Sequence, residues 1–375
     1  MSVLFLCGCL EPGRDGVGDY CRRLAARLLR NGHQAWVVAL NDHYITTPAE
    51  EEQLDEAVFV PVLRLDSHTA ISDKINVAQQ WIQRIEPDWI SLQYVPYAFH
   101  KLGLPFRWMR QFKKLSSSAR WHIMLHELWV GSVKENSFKD KLIGIFQQYI
   151  INKTINNLSI TITTTSTAHY KKLLQDLGHE ASVLPIFSNM PYGNVSNVKL
   201  YNQLPAEVRD NRNDWYIATL FGSIHPFVGI ETNVIALQQK AQADNKQLLL
   251  THVGRSHIVT SFLEDLKKDV ACEYFTFGEQ AAEDIASFFH HIDFGLSTYS
   301  TEALTKSGSI AAMLYNRLPV VLLKNSAVSA SSVQYTYAKF VLDIPTLQLY
   351  CSQVKDWSIA YGLNAAASFY INLPK

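Results

Sequence analysis

Short apolar runs alternate with amphipathic helical patterns along most of this 375-residue chain, and this alternation restricts the fold more than any other feature. The apolar run 3–7 is followed by a helical pattern with apolar residues every three or four positions from Val17 to Leu28, and then by the run 34–40. Continuous apolar runs are typical of parallel strands that are buried on both faces. The alternation therefore predicts an α/β chain built from doubly wound parallel sheets.

The alternation is interrupted between residues 191 and 214, where proline, glycine and asparagine are frequent and apolar periodicity is weak. It resumes at Tyr216 and continues to Val321. We therefore predict a first domain over 1–190, a connection over 191–214 and a second domain over 215–354.

The loop after the first apolar run is a candidate ligand site, because doubly wound sheets bind ligands at this position. It contains three glycines between residues 13 and 18. Their spacing does not match G-x-G-x-x-G, so a nicotinamide dinucleotide is not indicated. A tight turn alone could explain glycines, but Arg14, Asp15 and Asp19 stand beside them and favour a site.

A second candidate site lies in the stretch 297–321. A polar loop with Glu302 and Lys306 leads to Ser307-Gly308-Ser309, which opens an apolar helix of about three turns. A loop of small residues at a helix N-terminus presents unpaired N–H groups and the positive end of the helix dipole, and both attract phosphate. This pattern indicates a site for the diphosphate of a sugar nucleotide.

The composition excludes other classes of function. Lysine plus arginine equals aspartate plus glutamate, 34 each, so the charge balance gives no indication of a nucleic-acid partner. No apolar run approaches the ~20 residues of a membrane span, and the apolar N-terminus is predicted to be a buried strand rather than a signal peptide. The five cysteines lack metal-ligand spacing, so we expect free thiols in a reducing cytoplasm and no bound metal.

Seven short motifs, each weak alone, follow one another along the chain. They lie at residues 13–20, 126–127, 188–191, 221–224, 253–255, 277–278 and 293–321. In this order and spacing they resemble the GT-B glycosyltransferases, and more narrowly retaining glycosyltransferase family 4, over nearly the whole length. The resemblance implies two Rossmann-like domains facing across a cleft, with the C-terminal segment 355–375 packing back on the first domain.

The resemblance also implies an activity, that of a metal-independent hexosyltransferase without a bound cofactor. The donor, a nucleotide sugar with UDP-glucose or a similar UDP-sugar favoured, would bind the C-terminal domain. A glycan or lipid-linked acceptor of polysaccharide biosynthesis would bind the N-terminal domain, and the transfer would retain configuration. The enzyme would be cytoplasmic, and the mixture of aromatic and basic residues in 106–114 is compatible with a peripheral contact to the inner face of the membrane.

Candidate site residues follow from these motifs and from the resemblance. Three ionisable residues are candidates for catalysis: His126, Glu127 and Asp19. Three polar residues are candidates for binding the acceptor: Arg14, Asp15 and Asn189. The donor would be bound by Gly16, Gly18, Ser223, Arg255, Phe277, Gly278, Glu302, Lys306, Ser307, Gly308 and Ser309. By the resemblance, His126 would lie near the donor sugar and Arg255 would neutralise the diphosphate.

The stretch 297–321 departs from the usual family pattern. The second of two glutamates that are normally eight positions apart is replaced by Ala312, and the usual glycine is replaced by Arg317. Glu302 lies two residues too early for the first glutamate by strict counting. Some members of the family have a Lys/Arg-Ser-Gly-Ser variant, which the segment 306–309 resembles.

Two alternatives remain open. One is another enzyme on the same fold, such as a sugar-nucleotide epimerase or a phosphorylase. The other is a relative that binds a sugar nucleotide without catalysis, which the missing second glutamate would favour.

Overall fold

The computed structural model describes residues 1–55, 57–115, 118–131, 138–227, 229–270, 272–323, 341–342 and 361–374. The chain divides into two compact units. The first contains Met1–Pro185 together with the C-terminal segment from Ala366, and the second contains Ile186–Ala365. In the described part of the chain, we find no helix with the length and hydropathy that a bilayer span requires.

The strands and helices largely follow the predicted alternation. The strands are β1 (Ser2–Cys7), β2 (Gln34–Asp42), β3 (Ala49–Asp55), β4 (Val58–Asp66), β5 (Trp89–Tyr94), β6 (Arg120–Leu125), β7 (Ile162–Thr165), β8 (Ser182–Val183), β9 (Trp215–Phe221), β10 (Gln247–Val253), β11 (Glu273–Gly278), β12 (Phe294–Ser297), β13 (Val320–Leu322) and β14 (Val341–Leu342). The helices are α1 (Gly16–Arg30), α2 (Ile71–Ile85), α3 (Pro96–Phe99), α4 (Phe106–Phe112), α5 (Phe138–Asn157), α6 (Ala168–Asp176), α7 (Ala206–Asp210), α8 (Ile230–Ala243), α9 (Val259–Asp269), α10 (Ala282–Phe288), α11 (Gly308–Tyr315) and α12 (Leu363–Ile371).

The first unit is built on an eight-stranded sheet in the order β3-β4-β2-β1-β5-β6-β7-β8. All neighbouring strands are parallel except the hairpin β3–β4. Because β1 pairs with β2 on one side and β5 on the other, the strand order reverses there. Every residue of β1 is buried, as expected for a central parallel strand.

The hairpin β3–β4 is a feature that the sequence analysis did not predict. The strand β3 is rich in glutamate and shows no apolar alternation, so its sequence carries no strand signal. Its position is supported by ion pairs: Arg64 on β4 contacts Asp42 at 2.8 Å, Glu11 at 2.6 Å and Glu51 at 3.3 Å. Burial opposes the charged form of Asp42, but hydrogen bonds from Arg64 and from backbone N–H groups lower its pKa on balance.

The C-terminal residues of α12 pack into the first unit. The Tyr370 ring is fully buried and meets the Phe5 ring edge-on, with centroids 5.1 Å apart. Its hydroxyl lies 3.1 Å from the amide nitrogen of Gln93 on β5. These contacts join the end of the chain to the centre of the first sheet.

The second unit is built on a parallel sheet in the order β11-β10-β9-β12-β13-β14. The strand order reverses beside β9, which pairs with β10 on one side and β12 on the other. Apolar clusters cover both faces of this sheet. Both units are thus doubly wound α/β units, which confirms the predicted fold class.

Residues 191–214, which we expected to connect the domains, pack within the second unit. Leu200, Leu204 and Val208 are buried in the same cluster as Trp215. The Asn316 side chain, at the end of α11, accepts a hydrogen bond from the Gly193 N–H at 2.7 Å and donates to the Pro191 carbonyl at 3.1 Å. The segment is therefore held by specific contacts, although its helical turns are too short to produce a clear periodic pattern.

Candidate functional site

The candidate donor residues of the second unit follow strands that are neighbours in its sheet. Ser223 follows β9, Arg255 follows β10, Gly278 ends β11, and the stretch with Lys306 follows β12. Because these strands are parallel, their carboxyl ends lie along one edge, and the strand order reverses beside β9, which is the position where doubly wound sheets generally form a ligand crevice. The structure thus brings these residues to the edge where doubly wound sheets bind ligands.

The ends of β9, β10 and β11 are tied together through their backbones. The Gly222 N–H donates to the Val253 carbonyl at 2.9 Å, and the Gly254 N–H donates to the Gly278 carbonyl at 2.8 Å. Gly254 has a φ of +103°, and a Cβ there would lie 3.2 Å from the Gly222 nitrogen. Only glycine allows this close approach of the two backbones. The loops after β9, β10 and β11 therefore start at fixed positions relative to one another.

Arg255 projects from this edge with half of its side chain exposed. Its Nε lies 3.4 Å from a carboxylate oxygen of Glu279, which is equally exposed. Ion pairs between exposed side chains contribute little, so this contact would not prevent Arg255 from binding a ligand phosphate.

The segment Lys306–Ser309 meets the expectations for a phosphate-binding helix start. Ser307 caps α11: its hydroxyl accepts a hydrogen bond from the Ile310 N–H at 3.3 Å. Gly308 is exposed, while Lys306 and Ser309 are half-buried. Because α11 connects the parallel strands β12 and β13, its N-terminus lies at the carboxyl end of the sheet, where the helix dipole favours an anion.

The two departures from the family pattern have clear positions in the second unit. Ala312 is 1% exposed and lies in the apolar cluster under α11. Arg317 has a φ of +62°, which explains why a glycine would suit this position, and its guanidinium stacks over the Tyr192 ring at 5.6 Å. The side chain of Glu302 lies outside the described residues.

His225 and Tyr299 were not predicted as site residues, although the structure places them together at the crevice beside β9. His225 Nε2 lies 3.1 Å from the Tyr299 hydroxyl, and the His225 N–H donates to the Thr298 hydroxyl at 2.9 Å. These contacts connect the loops after β9 and β12. The sequence feature that could have identified them is their position, because both residues come shortly after apolar strands.

Phe277, a candidate donor-binding residue, points its side chain into the second unit. Its ring is buried in the core, edge-on to Phe275 and Phe288 at centroid distances of 4.9 and 4.8 Å. Its carbonyl accepts a hydrogen bond from the Gln280 side chain at 2.8 Å. Gly278 and Glu279, which follow Phe277, are exposed.

The carboxylates of the glycine loop in the first unit make structural contacts. Asp15 is the N-cap of α1 and accepts hydrogen bonds from the Val17 and Gly18 N–H groups at 3.0 and 2.7 Å. Burial raises the pKa of Asp15 above its usual range. Asp19 forms an ion pair with Arg22 at 2.5 Å and accepts a hydrogen bond from the Gly13 N–H at 3.0 Å.

Asp15, the candidate for acceptor binding, and Asp19, the candidate for catalysis, therefore both make contacts within the first unit. Neighbouring Arg14 and Gly16 are exposed, whereas Gly18 is buried against the loop after β1. Asn189, the remaining acceptor candidate, is half-buried and belongs to the second unit.

His126, at the carboxyl end of β6, is 9% exposed, and its Nε2 donates a hydrogen bond to the Gln93 amide oxygen at 2.8 Å. Its ring is edge-on to Tyr20 at 5.2 Å. Burial lowers the pKa of His126 to about 3, so the ring is neutral near pH 7 and supplies no positive charge. Glu127 follows it in the loop and is half-buried.

Comparison with known proteins relates this chain to others through its fold. No protein-family profile and no curated protein sequence matches it. Three solved structures match the chain over 99% of its length and over 98% of their own length. HepE of Anabaena in complex with UDP has 14% sequence identity and a TM-score of 0.62, and the catalytic domain of starch synthase IV from Arabidopsis thaliana, bound to ADP and acarbose, has 12% identity and a TM-score of 0.58. The α,α-trehalose-6-phosphate synthase from Burkholderia multivorans has 10% identity and a TM-score of 0.58. These structures are GT-B glycosyltransferases, and the chain therefore has the GT-B fold.

Proposed function

We propose that this protein is a glycosyltransferase that moves a hexosyl group from a UDP-sugar, UDP-glucose or one similar to it, to a glycan or lipid-linked acceptor in polysaccharide biosynthesis. The observation that supports it best is the group of Arg255, Lys306 and the capped start of α11 at one edge of the second sheet. HepE, which shares the fold, has been crystallised with UDP and with UDP-glucose. The motif resemblance to retaining family 4 supports the same activity.

In the proposed reaction the bond between the anomeric carbon and the diphosphate breaks, and negative charge grows on the diphosphate. Arg255, Lys306 and the N-terminus of α11 would stabilise that charge without a metal ion or a bound cofactor. With retention of configuration, the departing phosphate would take the proton of the acceptor hydroxyl. Neutral His126 would then act through hydrogen bonding rather than through charge.

Binding of UDP or UDP-glucose should raise the melting temperature of the protein. At a ligand concentration of 100 times Kd, binding adds about 2.7 kcal/mol to the free energy of unfolding. We expect the shift to persist in EDTA, because protein cations replace the metal. If UDP, GDP and ADP all leave the melting temperature unchanged, the proposal is wrong.

A second candidate, a sugar-nucleotide-binding protein without catalysis, is favoured by one observation. Ala312 occupies the place of the usual second glutamate and is enclosed by apolar side chains, so no carboxylate is available there for the ribose. Product analysis with UDP-glucose separates the candidates. Transfer to an acceptor supports the first, binding without turnover over a broad acceptor panel supports the second, and a changed sugar without any acceptor would indicate an epimerase.

We further propose that the protein contacts the membrane surface from the cytoplasmic side, where a lipid-linked acceptor would be found. The aromatic and basic residues of 106–114 are compatible with such a contact by sequence, but Trp108 and Met109 within this stretch are buried. The exposed apolar surface lies instead on the neighbouring helix α5. Its outward side chains are Phe138, Leu142, Ile145, Phe146 and Tyr149, which are 44–83% exposed.

Helix α5 is apolar on both sides, which is typical of a helix with two covered faces. Its inner side is packed, with Ile150, Ile151 and Ile155 buried. The outer side is bordered by exposed Lys139, Lys141 and Lys153. Apolar and aromatic side chains among lysines are the pattern of a helix that lies on an anionic lipid surface, so we propose that α5 binds such a surface.

Binding to vesicles tests the proposed role of α5. The protein should co-sediment with vesicles that contain phosphatidylglycerol, less so with pure phosphatidylcholine or at high salt. Replacing Phe138 and Ile145 together by serine should lower the partition coefficient about tenfold, because two apolar side chains no longer enter the interface. A matched control replaces Leu54 and Phe59 of the hairpin, which are exposed to a similar degree, 59% and 60%.

Both double variants should keep the melting temperature of the parent, since the altered side chains are exposed. Equal loss of vesicle binding in both variants, or no binding by the parent protein, would contradict the proposal. If the α5 variant converts a dimer to a monomer while vesicle binding is absent, the face is covered by a second copy instead.

A further inference from the structure

A chain of buried polar side chains runs across the first unit toward His126. Its members come from β5, β6, β7 and α12 and each is at least nine-tenths buried: Ser91, Gln93, His122, His126, Thr164 and Tyr370. Five hydrogen bonds of 2.6–3.1 Å join these side chains, and the Ser91 and Tyr370 hydroxyls also lie 3.4 Å apart. Buried polar groups need satisfied partners, so the direction of each bond is restricted by its neighbours.

Which atom donates in each hydrogen bond follows from Thr164, the member of this series that is farthest from His126. Thr164 Oγ1 lies 2.9 Å from Met124 Sδ, too close for two lone pairs to face each other, so the hydroxyl hydrogen points at the sulfur. The hydroxyl must then accept from His122 Nε2, 2.9 Å away. Because burial lowers the pKa of His122 to about 3, the ring is neutral and its Nδ1 can only accept, from Ser91 Oγ at 2.7 Å.

The same reasoning continues to His126. The one hydroxyl hydrogen of Ser91 is used on His122, so Ser91 accepts from the Gln93 amide nitrogen at 2.6 Å. The second N–H of that amide reaches the Tyr370 hydroxyl at 3.1 Å. The amide oxygen of Gln93 therefore faces His126, and His126 Nε2 must carry the proton in their 2.8 Å hydrogen bond.

A neutral histidine with a proton on Nε2 has a bare Nδ1, which is an acceptor. None of the described residues bonds to Nδ1 of His126, and this nitrogen is not among the fully buried polar atoms without a partner. The nitrogen is thus open to a ligand at the carboxyl end of the first sheet.

We infer that Gln93 and Tyr370 are positioning residues, which hold the His126 ring in the tautomer with the proton on Nε2 and leave Nδ1 as the acceptor for a hydroxyl group of the sugar that the family resemblance places near this histidine. The identity of the ligand rests on the proposed function, whereas the tautomer rests on the contacts alone. The structure assigns Tyr370 this role from 277 positions away, because α12 returns the end of the chain to β5.

Nitrogen-15 NMR of the full-length protein tests the tautomer without any assay of activity. The resonances of His126 are identified by their loss in His126→Asn. We expect a protonated Nε2 and an unprotonated Nδ1 that do not change between pH 5 and 8. A proton found on Nδ1 would overturn the inference, even if the protein proves to be a glycosyltransferase.

Gln93→Glu provides the second test, because it keeps the shape of the side chain. A carboxylate beside Nε2 favours the charged ring, so the pKa of His126 should rise toward its ordinary value of about 6.5. Below that pKa, Nδ1 carries a proton and cannot accept. We expect kcat/KM of the variant to fall with decreasing pH through this range, while the parent protein shows no such step.

Two conservative pairs separate positioning from simple loss of structure. An Asn side chain can place its amide oxygen near the position of Nδ1 and a Gln side chain near Nε2, so His126→Asn should keep more activity than His126→Gln, which should lose about tenfold in kcat/KM. Tyr370→Phe leaves one buried Gln93 N–H without its acceptor, so it should lower the melting temperature and also lower kcat/KM at temperatures where the variant is fully folded. Tyr361→Phe is its control in the second unit. Equal activity of the two His126 variants together with an unaltered pH profile of Gln93→Glu would contradict the inference.

Failure of the proposed function can be distinguished from failure of the inference. If neither the parent protein nor any variant has turnover while NMR shows the expected tautomer, the proposed function is wrong and the assignment of the tautomer is still supported.

Discussion

Replacing Gly18 with alanine should lower the free energy of unfolding by about 3 kcal/mol, because the new methyl group would meet backbone that cannot move aside. A Cβ at Gly18 would lie 2.3 Å from the Cys9 carbonyl oxygen and 3.1 Å from the Leu10 Cα. Both atoms belong to the loop that follows the central strand β1, so relief of the contact would require α1 to shift from the sheet. Urea unfolding followed by tryptophan fluorescence measures the loss.

Gly16→Ala is the matched control for this prediction, two residues earlier in the same helix. A Cβ at Gly16 meets no atom within 4 Å, and alanine favours a helix more than glycine does. We expect this variant to be as stable as the parent or about 0.5 kcal/mol more stable. If Gly18→Ala is instead fully stable but loses donor binding, this glycine serves the ligand, as the sequence motif suggested, rather than the packing of α1.

Replacing Arg255 with alanine should reduce kcat/KM for the UDP-sugar about 100-fold or more. The reason is that the guanidinium would face the diphosphate while its charge grows in the transition state, and removal of one such group typically has an effect of this size. Arg255 is half-exposed and its ion pair with Glu279 joins two exposed side chains, which contributes little to stability, so the fold should tolerate the change. Steady-state kinetics with the donor varied measures the loss, and the melting temperature should stay unchanged.

Glu279→Gln controls for the ion pair itself. It removes the negative charge beside Arg255 and leaves the guanidinium in place, so donor binding should be equal to or slightly tighter than in the parent protein. Parent-like kinetics of Arg255→Ala would show that the diphosphate is held elsewhere at this edge. The next variant to examine would then be Lys306→Ala, at the start of α11.

Most of the fold could be predicted from the sequence because it is encoded by local periodicity. Apolar runs became parallel strands, and the helical patterns became helices, with differences of a few residues at their ends. The motif stretch 306–309 likewise became a capped helix start, since Ser307 is an N-cap by its own chemistry. These features depend on neighbours along the chain.

Other features could not be predicted in this way. The acidic strand β3 exists because β4 and Arg64 hold it, and residues 191–214 are ordered by contacts with Asn316 and with the apolar cluster of the second unit. The sequence named Asp15 as a candidate for acceptor binding and Asp19 as a candidate for catalysis, but it did not reveal their contacts with backbone N–H groups and with Arg22 at the start of α1.

By itself, the sequence determined that this chain forms two doubly wound α/β units and that Arg255 and Lys306 follow strands of the second one. Only the tertiary structure decided which groups meet. It placed His225 beside Tyr299 at the reversal of strand order, and it joined His126 through Gln93 to Tyr370. The physical reason is that hydrogen bonds and steric contacts act over about 3 Å between residues that are far apart in sequence, and such distances are set by the packing of the whole unit.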